Sequence, residues 1–150
     1  MSLNDEERHY YDSFNAICEV TMLTSRDQWY NEGQPVMRHL RAFEEANNTS
    51  PSYCLFVAPS LHKDTINTFY TSVKYEYEGQ QQRIIPITIP QLQIILQVVQ
   101  KTLKQNKPFS HNYIKQLYDK CVDLSDVANS IQWLDKINNS INIWSNSLIA

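Results

Sequence analysis

At 150 residues the chain can close one hydrophobic core but not two, so residues 1–150 are expected to form a single domain. Hydrophobic residues make up 42% and charged residues 19%, which excludes a disordered chain; no long apolar run is present and the first dozen residues are too charged for a secretory signal, so no membrane segment is expected and the protein should be soluble and cytoplasmic. Thirteen basic against sixteen acidic residues, a net charge of -3, lack the overall basic balance usual in a domain that grips nucleic acid by itself, so for such a role either the basic residues gather on one face or, the favoured reading, another domain or subunit supplies most of the grip.

The run FNAICEVTML (14–23) is apolar and β-prone apart from Asn15, Glu19 and Thr21, and reads as a central, largely buried strand. The preceding RHYYD (8–12) suits a neighbouring antiparallel strand, with the turn at Asp12 and Ser13. Ser25 and Gln28 have capping-box spacing, and Trp29, Val36, Leu40 and Phe43 then recur at helical intervals, predicting a helix over 26–46 that Gly33 and Pro35 kink or split. YCLFVAP (53–59) is a second core strand. Residues 61–74 have looser helical spacing, YEYEGQQQ forms an exposed turn, and RIIPITI (83–89) is a third strand with Pro86 at an edge or end. Thr88 and Pro90 open a helix with Leu92, Ile95, Leu96, Val99 and Leu103 on one face, closed by residues 106–108. Ser110 and Ser125 are candidate caps for two more helices. The last helix carries Leu134, Ile137, Ile141, Trp144 and Leu148 as a stripe that either packs on the domain's own core or forms a homodimer seam. The expected architecture is α/β: a small mixed sheet flanked by helices, with a helical C-terminal third. The cysteines Cys18, Cys54 and Cys121 are odd in number and far apart, so neither a disulfide framework nor a zinc site is suggested; two lie in apolar runs and read as buried thiols.

Glu19 is the anomaly. A carboxylate inside a buried strand is strongly disfavoured unless it is paired, protonated or bound to metal. Side chains alternate along a strand, so Ile17, Glu19 and Thr21 share one face. On a continuous helix, Gln28, Glu32 and His39 fall within about 40° of one another, beside the apolar stripe. A strand carboxylate and a helix carboxylate would then meet over the sheet with an imidazole nearby, the ligand chemistry of a hard divalent cation. The alternative reading of the same residues is a wet strand end and a partly exposed helix.

FNAICEVTMLTSRDQWYNEGQPVMRHLRAF (14–43), through its E-V-T strand and Q-x-x-x-E-G-x-x-V-x-R-H helix, resembles the catalytic segment of AlwI-like type IIS restriction and nicking endonucleases, a branch of the PD-(D/E)xK nucleases. The similarity extends through YCLFVAPSLHKDTINTFYTSVKYEY (53–77) and RIIPITIPQ (83–91), covering residues 8 to 91. The resemblance implies a restriction-endonuclease-like fold and Mg²⁺-dependent hydrolysis of DNA phosphodiesters, with Mn²⁺ able to substitute. It implies Glu19 and Glu32 as metal ligands with the Val20 carbonyl, His39 close by, and Thr21 in the place of the superfamily lysine. The family's first acid corresponds to Glu6, without the expected hydrophobic lead-in. The family also has a substantial portion before this point, so the chain is expected to be a fragment or subunit of a larger enzyme. Its partners would be double-stranded DNA and a DNA-recognition domain or subunit that provides most of the grip; among its own cations, Arg38, Arg41, Lys63 and Lys74 are the candidates for phosphate contacts. The competing expectations are a catalytically incomplete nuclease-like remnant or partner subunit, and a helical interaction module.

Overall fold

A computed structural model describes residues 13–106 and 108–149. Strand β1 (Asn15–Val20) leads into a helical stretch, α1, made of α-helical Arg26–Gln28, a π-helical turn Trp29–Gly33 and α-helical Gln34–Ala46. Strand β2 (Ser52–Ala58), helix α2 (Lys63–Lys74), strand β3 (Ile84–Thr88) and helices α3 (Ile89–Lys104), α4 (His111–Asp123) and α5 (Ser130–Ile149) follow. The described strands form one parallel sheet in the order β1-β2-β3, with Glu19 beside Phe56 and Phe56 beside Pro86. Each connection between parallel neighbours crosses over through a helix, which is why helices and strands alternate in the sequence. The expected strand at 8–12, which would make the sheet mixed, lies outside the described residues.

β2 is buried along its whole length, as an unbroken apolar run at the middle of a parallel sheet should be. β1 differs from expectation. It stops at Val20 rather than Leu23, and its burial alternates, with Ala16, Cys18 and Val20 exposed. The face that carries Ala16, Cys18 and Val20 is open, so the apolar run is half used, and the buried thiols are Cys54 and Cys121 rather than Cys18. Pro86 is tolerated in β3 because β2 is its only described neighbour.

The α1 stretch covers the expected 26–46, and the defect expected at Gly33 and Pro35 takes the form of the π-helical turn Trp29–Gly33. Pro35 has no N–H to continue the α pattern, and the wider π turn just before it absorbs the defect while backbone angles stay helical. Ser25 caps the first turn by accepting from the Asp27 N–H at 3.3 Å. Gln28 does not complete a capping box; its side chain turns inward instead.

One face of the sheet meets α1 and α2, with Phe56 edge-on to Phe69 at 5.0 Å and Trp29 donating to Thr68 at 2.9 Å. On the other face α4 reaches Tyr53 through Tyr118 and Asp119. α3 opens with a full capping box between Thr88 and Gln91. Ser110 caps α4, whereas Asn129, not Ser125, accepts from the Gln132 N–H at the start of α5. The α5 stripe faces the domain's own core: Ile137 and Ile141 are buried with Trp133, which contacts Tyr70. Among the described residues no helix is long and apolar enough to cross a membrane.

Candidate active site

Glu19 sits near the C-terminal end of β1, on the face that meets α1. His39 approaches from α1, its Nδ1 3.0 Å from Glu19 Oε1. An ionised carboxylate only accepts, so the bond places the proton on Nδ1 and leaves Nε2 of a neutral imidazole with its lone pair. The imidazole is 61% exposed and the carboxylate 29%, so the pair stands at the surface with its strand end dry and its outer edge open to solvent.

Two residues on, the Thr21 N–H donates to the Val57 carbonyl at 3.0 Å. A trans peptide sets the preceding carbonyl opposite to that N–H, so the Val20 carbonyl points away from β2. Thr21 itself is buried, and its hydroxyl oxygen accepts from the Leu23 N–H at 3.2 Å. That bond leaves the hydroxyl proton to be donated elsewhere. Beneath the pair, burial and secondarily the Glu19 charge push the Cys54 thiol well above its ordinary range. A thiol held protonated does not compete as a metal ligand.

The structure brings Glu19 and His39 together, with Thr21 and the Val20 carbonyl beside them on the same strand. Glu32 lies half-buried on the π turn and makes no hydrogen bond with the described residues. Among the described residues no three His, Cys, Asp or Glu side chains stand close enough to hold one ion. Glu6 lies outside the described residues. The oxygens of Glu19 and Val20 nevertheless suit Mg²⁺, which keeps several waters and is commonly held by only one or two carboxylates.

Gln28 does not share the flank of Glu32 and His39, as a uniform helix would require. The π turn adds a residue per turn between them and rotates the two parts of α1 relative to each other. Fully buried, Gln28 donates to the Leu23 carbonyl at 2.7 Å and the Ser60 carbonyl at 2.8 Å, and accepts from the His62 N–H at 2.8 Å. It ties the loop after β1 to the loop after β2. Sequence reasoning missed this role because a lone amide among polar helix residues has no pattern of its own. Two of the candidate phosphate-binding cations are also committed internally. Arg41 donates to the Gln80 side chain and to the Tyr77 and Gln80 carbonyls, and Lys74 donates to the Val127 carbonyl. Arg38 and Lys63 are exposed and make no hydrogen bond with the described residues.

The profile of the AlwI restriction endonuclease family matches residues 4–95, which include β1, α1, β2, α2 and β3. The chain belongs to the AlwI restriction endonuclease family. Among solved structures it is similar to the crystal structure of the small subunit (R.BspD6I2) of the heterodimeric restriction endonuclease R.BspD6I, with a TM-score of 0.63 and 20% identity over 92% of this chain. The chain spans 65% of that subunit's length. At this identity the likeness shows the fold, which extends the restriction-endonuclease architecture beyond the profile into the helical C-terminal third. No curated protein matches the sequence.

Proposed function

We propose that this chain is the cleavage domain of a metal-dependent DNA endonuclease, and that it works with a further domain or partner subunit that reads the DNA. The observation that carries the proposal is the Glu19–His39 pair, set at the end of a parallel strand in a chain of the AlwI family. Ligands gather at the carboxyl ends of strands in open parallel sheets, which is where this pair stands. Glu19, Glu32 and the Val20 carbonyl would hold Mg²⁺ or Mn²⁺, with Glu6 as the fourth oxygen donor. The bound ion supplies Lewis acidity, lowering the pKa of water and stabilising charge on the phosphate. His39, held through Nδ1 by Glu19, presents Nε2 as the acceptor for a proton from the attacking water. Thr21 offers a hydroxyl donor where a lysine would offer a charge, so more of the electrostatic stabilisation falls on the ion. Water oxygen bonds to phosphorus, the phosphorus–oxygen bond of the DNA breaks, and the leaving oxygen takes up a proton.

The partner follows from charge. The chain has a net charge of -3, and Arg41 and Lys74 are engaged within the fold. Likeness to the small subunit of a heterodimeric restriction endonuclease supports assembly with a partner subunit.

The test combines cleavage with thermal melts in chelator and in millimolar Mg²⁺. Cleavage should require Mg²⁺ or Mn²⁺ and be lost in Glu19→Ala and Glu32→Ala. Glu19→Gln should melt within about 1 kcal/mol of wild type in chelator, since a partly exposed ion pair contributes little. It should lose most of the Mg²⁺ stabilisation, which is about 1.4 kcal/mol for wild type at roughly ten times Kd. Equal responses of wild type and Glu19→Gln to Mg²⁺ would overturn the metal assignment.

A further inference from the structure

The amino end of the sheet, away from the Glu19–His39 pair, carries a second concave feature. Ser52 opens β2 and Arg83 immediately precedes β3, whereas Glu19 pairs with Phe56, about 13 Å further along the strand direction. Between the end of α1, the turn before β2 and Arg83 lies a cleft of about 410 Å³. Its lining is polar apart from Pro51 and holds no aromatic ring. Ser52 is the one buried residue of that lining and forms its floor, and the Ser52 Oγ is enclosed with no hydrogen-bond partner. Glu44 stands on the wall, its Oε1 likewise enclosed and unpartnered. Arg83 rests its guanidinium over the Tyr53 ring at 5.8 Å and makes no hydrogen bond or ion pair with the described residues. Buried polar atoms are rarely left unpaired, because each has given up water without a replacement. Three unsatisfied groups around one cleft point to a ligand from outside the chain.

We propose that this cleft binds a small sugar or polyol phosphate, with the Arg83 guanidinium on the phosphate and the Ser52 hydroxyl and Glu44 carboxyl donating to its oxygens. Charge selects the anion. Arg83 is the only cation in the lining, and its planar fork matches phosphate oxygens. Burial raises the Glu44 carboxyl above its ordinary range against the pull of Arg41 and Arg83, so in mild acid it is protonated and donates where a carboxylate would repel. The other groups that bear on Glu44 are Glu45 on α1 and the Gln82 amide before β3, and Glu78 faces the adjoining cleft.

Size and lining select the rest of the molecule. The cleft falls within the roughly 300–1,000 Å³ of small-molecule sites, and a bare phosphate would fill only a corner of it. Asn48 and Thr49 on the rim are exposed and make no hydrogen bond through their side chains with the described residues, so they are available to the hydroxyls of a sugar. With no ring to stack on, a nucleobase gains nothing here, which argues against a nucleotide or a single strand. The site does not depend on the nuclease reading, since neither Glu19 nor His39 takes part.

The experiment is calorimetric titration of the whole chain with ribose phosphate, ribose and sulfate at constant ionic strength, on wild type, Arg83→Gln, Ser52→Ala and Glu44→Gln. Ribose phosphate should bind about tenfold tighter than sulfate, and ribose alone should not bind. Arg83→Gln should weaken both anions by at least about tenfold. Ser52→Ala should weaken them several-fold while melting no lower than wild type, because its hydroxyl has no partner to lose; it carries the test should Arg83→Gln disturb the packing on Tyr53. Sulfate keeps its charge between about pH 5 and pH 7, so its affinity for wild type should rise toward acid as Glu44 gains its proton, and Glu44→Gln should lack that rise. A wild-type chain that binds neither anion overturns the proposal, as does binding left unchanged by both Arg83→Gln and Ser52→Ala. Ribose phosphate binding no tighter than sulfate would overturn the sugar, and an equal pH response in wild type and Glu44→Gln would overturn the role of Glu44. Duplex DNA bound in an Arg83-dependent way, with no binding of ribose phosphate, would assign the cleft to nucleic acid and overturn the proposal as well.

Discussion

Three hydrogen bonds of 2.7–2.8 Å hold the Gln28 side chain between two loops at the carboxyl end of the sheet, and one of them fixes the carbonyl of Leu23, whose N–H in turn bonds Thr21. Replacing this amide by an apolar isostere leaves one donor and two acceptors at a part-buried junction without their partners, each costing about 1 kcal/mol, the lower end of the usual penalty. Gln28→Leu should therefore lose at least about 3 kcal/mol in urea denaturation; a loss under about 1 kcal/mol would mean that water replaces the amide without penalty. Glu44 poses a different single-residue problem. Burial raises its pKa above the ordinary carboxyl value, and the opposing charges of Arg41 and Arg83 do not cancel that effect. A carboxyl with a raised folded-state pKa favours the folded protein below its unfolded pKa, and that advantage is lost as pH rises through the folded value. Stability from Glu44 is thus present in mild acid and lost toward neutrality. Glu44→Gln cannot ionise, so its melting temperature relative to wild type should rise between about pH 4 and pH 7. A difference that is constant or shrinks over that range would show that the Arg41 interaction outweighs desolvation.

Elements were legible in the sequence where period and punctuation agreed. Thr88, Pro90 and Gln91 define the start of α3 by their own chemistry, and the apolar run of β2 could only be buried. The partial exposure of β1 was not legible, because an apolar run does not reveal whether both faces of its strand are covered. Nor was the exposure of Leu96 and Leu103 on α3: local spacing shows which residues share a face but not which face the rest of the fold covers. The π turn lies between these cases. Gly33 and Pro35 marked the place of the defect, while the outcome depended on tertiary packing against Thr68 and the Trp29 ring. An added Cβ on Gly33 would stand 3.3 Å from Trp29 Cδ1, and that indole is already held by Thr68 and overlaid by Arg26. Helix propensity alone favours alanine by about 1 kcal/mol, but the crowded ring has little room to yield. Gly33→Ala should be destabilised by about 1 kcal/mol, a typical small overpacking cost, with a shift in Trp29 emission. A stabilised variant with unchanged emission would show that the indole moves freely.

At the scale of the whole molecule, the fold places the end of β1, the π turn of α1 and the loop after β2 close together, because both parallel crossovers begin at that edge of the sheet. The Glu19–His39 part of the candidate site was readable from strand alternation and family motif together, as a carboxylate in an apolar strand demands a partner and the motif named the imidazole. The position of Glu32 was not, since its direction depends on a helical register that the π turn alters. The three tryptophans give this architecture a further use. Each indole N–H donates a hydrogen bond between elements: Trp29 to Thr68 between α1 and α2, and Trp133 to the Cys121 carbonyl and Trp144 to the Tyr113 carbonyl, both joining α5 to α4. Intrinsic fluorescence is therefore divided between the layer that carries the Glu19–His39 pair and the helical third that backs it. Spectral changes from the first report on the edge that holds the candidate site and those from the other two on its support, so loosening at either end of the molecule can be observed without attaching a dye.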